Sequence, residues 1–352
     1  MTEKKRNLNL DLIRCLALFL VPCIHGLDNT GLYSIALTTA ADKAMVGVKL
    51  IVTNCIPLYL LLSGYLCCRK RLSARYYLGY VRIYLVYLLC AVPCVLLEYF
   101  YEHSLHSLSD IIGSVINFYC CGYAWYIMMY AGLFLMIPFL NLIYQGCATQ
   151  RQKQLLIATF FALSILPSLL NSYVHLYSLW WEKLYPLCYY FTGAYLRDYM
   201  PKVKPSRIFA GAAAFIVGYG VFFFYTRHGE GAALCDLYQT SWSIYLLSCL
   251  LFIGLFNLRL DRVPRKLAAL LSRVSDLALP AFLLTWVPDG LLYPVMVRIA
   301  PAVHDRYIWL LATVPISFFS ALLMALVVDW IYRPLHRWLM ARLTMLLPEE
   351  QA

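Results

Sequence analysis

Four ionisable residues lie within or beside the first apolar stretch of the chain, and their types suit proton transfer and anion binding. Arg14 and His25 are 11 positions apart, which on a helix places them roughly 20° apart around the axis and about 16 Å apart along it. Asp11 falls on the same side, and Asp28 follows His25 by three residues, within reach of its ring. A histidine titrates near neutral pH, and an arginine stays charged at any relevant pH. The spacing therefore predicts one polar stripe along the first helix.

Ionisable groups at membrane depth usually face a bundle interior or a wet cavity, and they mark functional paths. A simpler alternative is that Asp11 and Arg14 pair near the inner interface, while His25 only caps the outer end of the helix. The residues at positions 16–24 are apolar. The stripe by itself names no reaction, and both interpretations stay open at this point.

The helix that carries this stripe belongs to a chain with the composition of a membrane protein. Of 352 residues, 62% are hydrophobic and 13% charged, and the mean hydropathy is +0.69, whereas soluble domains carry roughly a quarter charged residues. We expect an all-α polytopic bundle that forms a single integral-membrane domain over residues 1–352. Apolar runs long enough to cross a bilayer predict about ten spans, at 8–28, 45–67, 78–100, 122–144, 154–172, 184–196, 207–226, 240–258, 276–297 and 307–331.

The net charge of +11 is interpreted as a topology signal, not as a nucleic-acid-binding surface. Most Lys and Arg residues fall on one set of alternating segments, such as 69–75 and 259–273, which predicts that both termini are cytoplasmic. The first span lacks a small-residue cleavage site, so we expect it to be retained. The 13 cysteines show no metal-ligand spacing and most fall within spans, so neither a metal site nor a structural disulfide is expected.

Two outer segments are notable for their length and polarity. Residues 98–114 carry Glu98, His103 and His106, and the apolar positions that follow have the spacing of an interfacial helix. Residues 171–183 contain Trp180 and Trp181, which suit either an aromatic belt at the membrane interface or a stacking platform for a sugar ring. Glu98, His103 and His106 could contact an acceptor, and the alternative is that they only make this loop polar and solvated.

The run "NLDLIRCLALFLVPCIH" at 9–25 resembles the opening of the membrane acyltransferase-3 family, in which a basic residue and a histidine are separated by ten residues. Arg14 and His25 match these positions, and Asp11 matches an acidic residue that often precedes them. Looser resemblances follow in "IPLYLLLSGYLCCRKR", in "ARYYLGYVRIYLVYLL" with Arg82, in "GYAWYIMMYAGLFLMIPFLN" and in "YYFTGAYLRDY". The likeness covers most of the chain, and its first-span motif is specific.

The sequence departs from the family pattern at two positions. Tyr123 stands where members often have a histidine two residues before a tryptophan, and Trp286 stands where many have a histidine in a later span. These departures indicate a divergent subfamily and leave the acceptor site open. They do not affect His25.

The resemblance implies O-acyl transfer, which needs a base to take a proton from a hydroxyl as it attacks a thioester carbonyl. On this basis we interpret His25 as the base, Asp28 as the carboxylate that orients its ring, and Arg14 as a catalytic-site group near the donor. The implied donor is acetyl-CoA or another acyl-CoA, whose phosphates arginine can bind. Further donor-binding candidates are Arg71, Arg75, Arg82, Ser63 and Trp125, and acceptor-binding candidates are Trp180, Trp181 and Glu98.

Each of these weaker candidates has a plain alternative. The cluster of Arg69, Lys70, Arg71 and Arg75 fits positive-inside topology, and Arg82 could extend its side chain to the inner interface. The serine in "LSGYL" fits helix packing, and Trp125 fits an ordinary core aromatic. We would not assign Ser63 as a nucleophile, because no adjacent base is visible.

The sequence thus predicts an integral-membrane O-acyltransferase, with O-acetylation of a surface or exported polysaccharide as the leading reaction. The alternative is a transporter or flippase of glycan or acyl intermediates, in which Arg14 and His25 line a path without catalysis. The expected partners are acyl-CoA, a glycan acceptor and the lipid bilayer, with a homodimer left open and nucleic acid excluded. No bound cofactor is expected. The expected location is the cell membrane, which is the inner membrane if the source is bacterial.

Overall fold

The computed structural model describes residues 6–103, 106–170 and 178–345, and within these residues the chain is helical, with one isolated β-bridge between Ala36 and Glu230. Short 3₁₀ turns join several of the helices, among them Leu32–Ser34, Leu179–Leu184 and Gly231–Asp236. The α-helices are α1 Leu8–Asp28, α2 Ala40–Val52, α3 Cys55–Cys67, α4 Ala74–Leu97, α5 Leu108–Ile116, α6 Trp125–Gly146, α7 Gln150–Ser164, α8 Pro167–Leu170, α9 Tyr185–Asp198, α10 Pro205–Arg227, α11 Trp242–Phe256, α12 Arg265–Asp276, α13 Ala278–Leu284, α14 Trp286–Ile299 and α15 Val303–Thr344.

Seven helical segments in the described residues are long and apolar enough to cross a membrane. They confirm an all-helical membrane protein and coincide with seven of the spans expected from the sequence. The other three expected spans, 154–172, 184–196 and 240–258, fall on α7, α9 and α11, which have 15, 14 and 15 residues. Such helices are about 22 Å long, less than the roughly 30 Å of a hydrocarbon core. The count of ten crossings and the side of the termini remain predictions. The seven segments are Leu8–Ser34, Ala40–Cys67, Ala74–Glu102, Gly122–Gly146, Pro205–Arg227, Ala278–Ile299 and Val303–Leu343.

The helices group into two compact units. The first unit comprises Met1–Cys68, Tyr144–Ser275 and Ala300–Leu310. The second unit comprises Arg69–Ile143, Asp276–Ile299 and Leu311–Ala352.

The tightest helix pair of the first unit is α3 with α9, and two glycines allow it. A Cβ atom on Gly64 would lie 2.0 Å from the carbonyl oxygen of Tyr190, and one on Gly193 would lie 2.1 Å from that of Leu61. Within a bilayer the hydrophobic effect does not drive helices together. Small residues instead let two helix backbones approach closely and pack. Backbone contact therefore takes the place of side-chain packing at this crossing.

At the end of the first unit where α1 terminates, two turns pack against each other. The backbone N–H of Leu37 donates to the carbonyl of Gly229 at 2.8 Å, and that of Gly231 donates to the carbonyl of Ile35 at 3.1 Å. A side chain at Gly231 would collide with the carbonyl oxygens of Leu32 and Ile35, at 2.4 and 2.3 Å. The turn Leu32–Ser34, which follows α1, is thereby fixed to the turn Gly231–Asp236, which follows α10.

In the second unit, α5 is a short amphipathic helix that begins with a capping box. The hydroxyl of Ser107 accepts from the N–H of Asp110, while the Asp110 carboxylate accepts from the N–H of Ser107 at 2.9 Å. Leu108, Ile112 and Ile116 form an exposed apolar stripe at helical spacing. The helix expected in this segment is present and begins at Leu108, and position 105 lies outside the described residues.

Candidate active site

Helix α1 carries both Arg14 and His25 without interruption. Its amino end is capped by the side chain of Asn7, which accepts from the N–H of Asn9 at 3.0 Å. The helix runs for 21 residues to Asp28, so the two side chains are separated by about 16 Å along one axis. The two ends of the polar stripe have different surroundings.

At the first end, the buried carboxylate of Asp11 is fully occupied. Arg6 donates to it through Nε at 2.6 Å and through Nη2 at 2.9 Å. The hydroxyls of Ser272 and Ser275 donate to it at 3.0 and 2.7 Å. A buried charge is tolerated when it is paired and its lone pairs are satisfied, so this cluster fixes α1 against α12.

Arg14 lies at the edge of this cluster. Its Nη1 donates to the Ser275 hydroxyl at 2.6 Å and lies 3.7 Å from Oδ1 of Asp11. Asp11 is already held by two bonds from Arg6, and the Arg14 side chain is 27% exposed. A guanidinium has five N–H donors, and this one makes a single hydrogen bond among the described residues. The Asp11 to Arg14 pair expected from the sequence is present, yet it leaves donors of Arg14 available for an anion.

At the other end, His25 is half-buried and lies close to a buried lysine, Lys49, which was not among the predicted site residues. The ammonium of Lys49 lies 3.3 Å from Oδ1 of Asp28 and donates to the Tyr33 hydroxyl at 2.7 Å. The Tyr33 hydroxyl in turn donates to the Asp28 carboxylate. The Lys49 side chain is only 5% exposed, so this cation depends on Asp28 and Tyr33 for its compensation.

Asp28 and Lys49 both act electrostatically on His25. The Asp28 carboxylate is shared with Tyr33 and Lys49, and its role in orienting the His25 ring stays a prediction. A carboxylate near an imidazole stabilises the imidazolium that forms when the ring takes up a proton. The lysine in "GVKLIV" inside an apolar helix was the sequence signal that could have identified this group.

Three other expected site residues lie in the first unit. The Ser63 hydroxyl donates to the Tyr59 carbonyl of its own helix at 2.8 Å, and Gly64 beside it makes the contact with α9. Trp180 and Trp181 lie on the turn Leu179–Leu184 and are 85% and 48% exposed. A serine hydroxyl that donates to a carbonyl of its own helix is typical of a packing role. The indole rings of Trp180 and Trp181, by contrast, are exposed.

The remaining expected site residues lie in the second unit. Arg71, Arg75 and Arg82 are exposed, and Arg75 and Arg82 are seven positions apart on one side of α4. Arg82 acts electrostatically on Tyr332 and His336 of α15. Trp125 begins α6 and is 38% exposed, while Glu98 is half-buried and follows α4.

The two positions that lack the family histidines are in contact with each other in the second unit. The rings of Tyr123 and Trp286 meet edge to face with centroids 5.1 Å apart. The Tyr123 hydroxyl donates to Oδ2 of Asp289 at 2.7 Å, and the Ser317 hydroxyl donates to Oδ1. Asp289 is 2% exposed. This buried network was not foreseen, because its members are far apart in the sequence.

Comparison with models of protein families matches residues 7–333 to the acyltransferase-3 family, described as an acyltransferase domain. No curated protein and no solved structure matches the chain. The matched region covers all the described helices up to the last turns of α15, including the whole of α1 with Arg14 and His25. The chain therefore belongs to the acyltransferase-3 family.

Proposed function

We propose that the protein transfers an acyl group, in the first instance acetyl, from acyl-CoA to a hydroxyl of a surface or exported polysaccharide. The observation that carries the proposal is the polar stripe of α1. It places an arginine with unused donors at one end and a histidine flanked by a carboxylate and a buried cation at the other. The membership in an acyltransferase family supplies the class of reaction.

In this proposal His25 takes the proton of the acceptor hydroxyl as the oxygen attacks the thioester carbonyl. The C–O bond forms, the C–S bond breaks, and the coenzyme A sulfur leaves and receives a proton from the imidazolium. Asp28 stabilises the charged ring between these two steps, because an imidazolium is favoured near a carboxylate. Since the proton returns to the leaving group, no net charge remains on the protein.

Arg14 is proposed to bind a phosphate of the donor through the guanidinium donors that Ser275 does not use. Arg71, Arg75 and Arg82, as well as Ser63 and Trp125, remain candidate donor contacts on the chemistry of their side chains. Trp180, Trp181 and Glu98 remain candidate acceptor contacts. The seven apolar helical segments support a multi-pass location, and we propose the cell membrane, with acyl-CoA supplied from the cytoplasm.

The test uses purified protein in detergent with labelled acetyl-CoA and the polysaccharide of the source organism. We expect His25→Ala to lower the rate of transfer by about 10²- to 10⁴-fold, the usual contribution of a general base. The control is Tyr225→Ala, since Tyr225 is 83% exposed and is not among the candidate site residues. Transfer that persists at the wild-type rate in His25→Ala would refute the assignment. Polysaccharide export that survives His25→Ala, with no release of coenzyme A by the wild type, would favour the transporter alternative.

A further inference from the structure

A cavity of about 230 Å³ lies in the first unit, between α8, the last turns of α10, the beginning of α11 and the turn Gly231–Asp236. Ligand pockets for drug-sized molecules usually have about 300–1,000 Å³, so this cavity suits a single ring-sized molecule. It lies outside the polar stripe of α1.

One wall of the cavity is aromatic. Tyr219 and Trp242 line it with ring centroids 5.6 Å apart and planes inclined at 59°, and Phe222 and Phe223 add further apolar surface. Two inclined rings offer faces against which a flat, partly apolar ring can pack.

A second part of the lining carries charge. Arg227 Nη2 lies 3.0 Å from Asp236 Oδ2, and both side chains are substantially exposed, at 42% and 61%. Ser168, Thr226 and Ser241 also line the cavity, and each of their hydroxyls already donates to a backbone carbonyl. A carboxylate accepts from hydroxyl groups and a guanidinium donates to them, so this wall suits a ligand that has several hydroxyls.

The combination of an aromatic wall with a carboxylate, a guanidinium and hydroxyls fits a sugar ring. Its C–H face can lie on the aromatic side chains while its hydroxyls reach the polar wall. A lipid tail would leave the ion pair unused, and an isolated phosphate would leave the aromatic wall unused and would meet the Asp236 carboxylate.

The cavity shares a structural wall with the surroundings of His25. Asp236 and Leu237 line the cavity, while the ring of the next residue, Tyr238, lies 5.9 Å from the Lys49 ammonium. Lys49 is paired with Asp28, and the turn that carries Tyr33 is packed onto the turn that carries Asp236 through Gly231. The segment 236–238 therefore separates the cavity from the Asp28, Tyr33 and Lys49 cluster.

We propose that this cavity binds one sugar ring of the acceptor glycan, an inference that rests on the proposed function for the identity of the ligand. The chain then holds its acceptor through a recognition site in the same unit as His25, built from α8, α10, α11 and the turn between α10 and α11.

The probe is a mixture of short oligosaccharides released from the surface polysaccharide of the source organism, titrated into the full-length protein in detergent by calorimetry without donor. We expect Asp236→Asn and Tyr219→Leu each to weaken binding by about tenfold, as loss of a charged hydrogen bond or of an aromatic face predicts. The matched control is Tyr225→Ala, because Tyr225 is on the same helix, is 83% exposed and does not line the cavity.

Failure of this inference is distinguishable from failure of the proposed function. If the wild type does not bind the oligosaccharides, or if the two cavity variants bind as well as the wild type, the cavity is not the saccharide site. If binding depends on Asp236 and Tyr219 but no acyl group is transferred from acetyl-CoA, the saccharide site stands and the acyl-transfer proposal falls. Preserved circular dichroism and elution volume of both variants exclude unfolding as the cause.

Discussion

The Lys49 ammonium lies 3.3 Å from the Asp28 carboxylate, three residues along α1 from His25. Lys49 is nearly inaccessible, with 5% of its side chain exposed, whereas 38% of the Asp28 side chain is exposed. The carboxylate therefore has two functions in our proposal. It compensates a buried cation and it stabilises the charged form of the catalytic histidine.

Removal of the Asp28 charge should cost stability as well as activity. Asp28→Asn leaves a buried ammonium without an anion, which typically costs about 3–5 kcal/mol for a fully buried pair, and less here because Asp28 is partly exposed. The double variant Asp28→Asn/Lys49→Met removes both charges, so we expect it to be more stable than Asp28→Asn alone. Thermal unfolding in detergent measures this cycle. Strict additivity of the two single substitutions would show that the two residues do not interact.

Substitution of Arg14 should weaken donor binding, whereas substitution of Asp11 should lower the stability of the fold. We expect Arg14→Ala to raise the KM for acyl-CoA by tenfold or more while the melting temperature changes little, because Arg6 and the two serines still satisfy Asp11. Asp11→Ala should have the opposite pattern, since it removes the hydrogen bonds that Arg6, Ser272 and Ser275 make to this buried carboxylate. The initial rate over a range of donor concentrations and the melting temperature are measured for both variants. An Arg14→Ala protein that melts early and has an unchanged KM would support a purely structural ion pair.

The two glycines where α3 crosses α9 should tolerate no substitution, because even alanine adds a Cβ atom to the contact. Gly64→Ala or Gly193→Ala brings a methyl group to about 2 Å from a backbone carbonyl oxygen of the facing helix, which is far inside van der Waals contact, so we expect loss of folded protein from the membrane. Gly211→Ala is the matched control, because no atom of a neighbouring element lies within 4 Å of its added methyl group. Membrane yield and monodispersity in gel filtration are the measurements, and normal behaviour of Gly64→Ala would disprove the close crossing.

The hydroxyls that surround Asp289 should each contribute to stability. Tyr123→Phe keeps the ring contact with Trp286 and removes one hydrogen bond to a carboxyl that is 2% exposed, which predicts a loss of about 1–3 kcal/mol. Ser317→Ala should act similarly. Tyr119→Phe provides the control, since Tyr119 is 76% exposed. Thermal melting of the three variants decides the matter, and equal melting of Tyr123→Phe and Tyr119→Phe would argue against the network.

Much of the helical layout could be predicted, because a long apolar run that crosses a membrane nearly always forms a helix. The first span was expected at 8–28 and α1 is Leu8–Asp28. The second expected span, 45–67, lies within the candidate crossing Ala40–Cys67, although that segment is divided between α2 and α3. Thr53 and Asn54 interrupt it, because their side chains donate to the carbonyls of Lys49, Leu50 and Ile51. Polar side chains of this kind compete with the helical backbone, and a hydropathy profile does not register them.

The candidate site was only partly accessible from the sequence. Periodicity was sufficient to place Arg14 and His25 on one helix, because both positions belong to the same element. Lys49 and Tyr33 were missed, since their contacts with Asp28 depend on how α2 and the turn after α1 pack. The same limit applies to Tyr123 and Asp289, which are 166 positions apart. Tertiary partners of this kind leave no periodic signal.

The backbone contact between α3 and α9 also restricts how the first unit can move. With Gly64 and Gly193 pressed against facing carbonyl groups, no lipid or water fits between the two helices, and sliding either one along the other would bring a larger side chain into the crossing. We therefore expect the two helices to move together. Any opening that admits an acceptor or releases coenzyme A in this unit therefore has to hinge elsewhere.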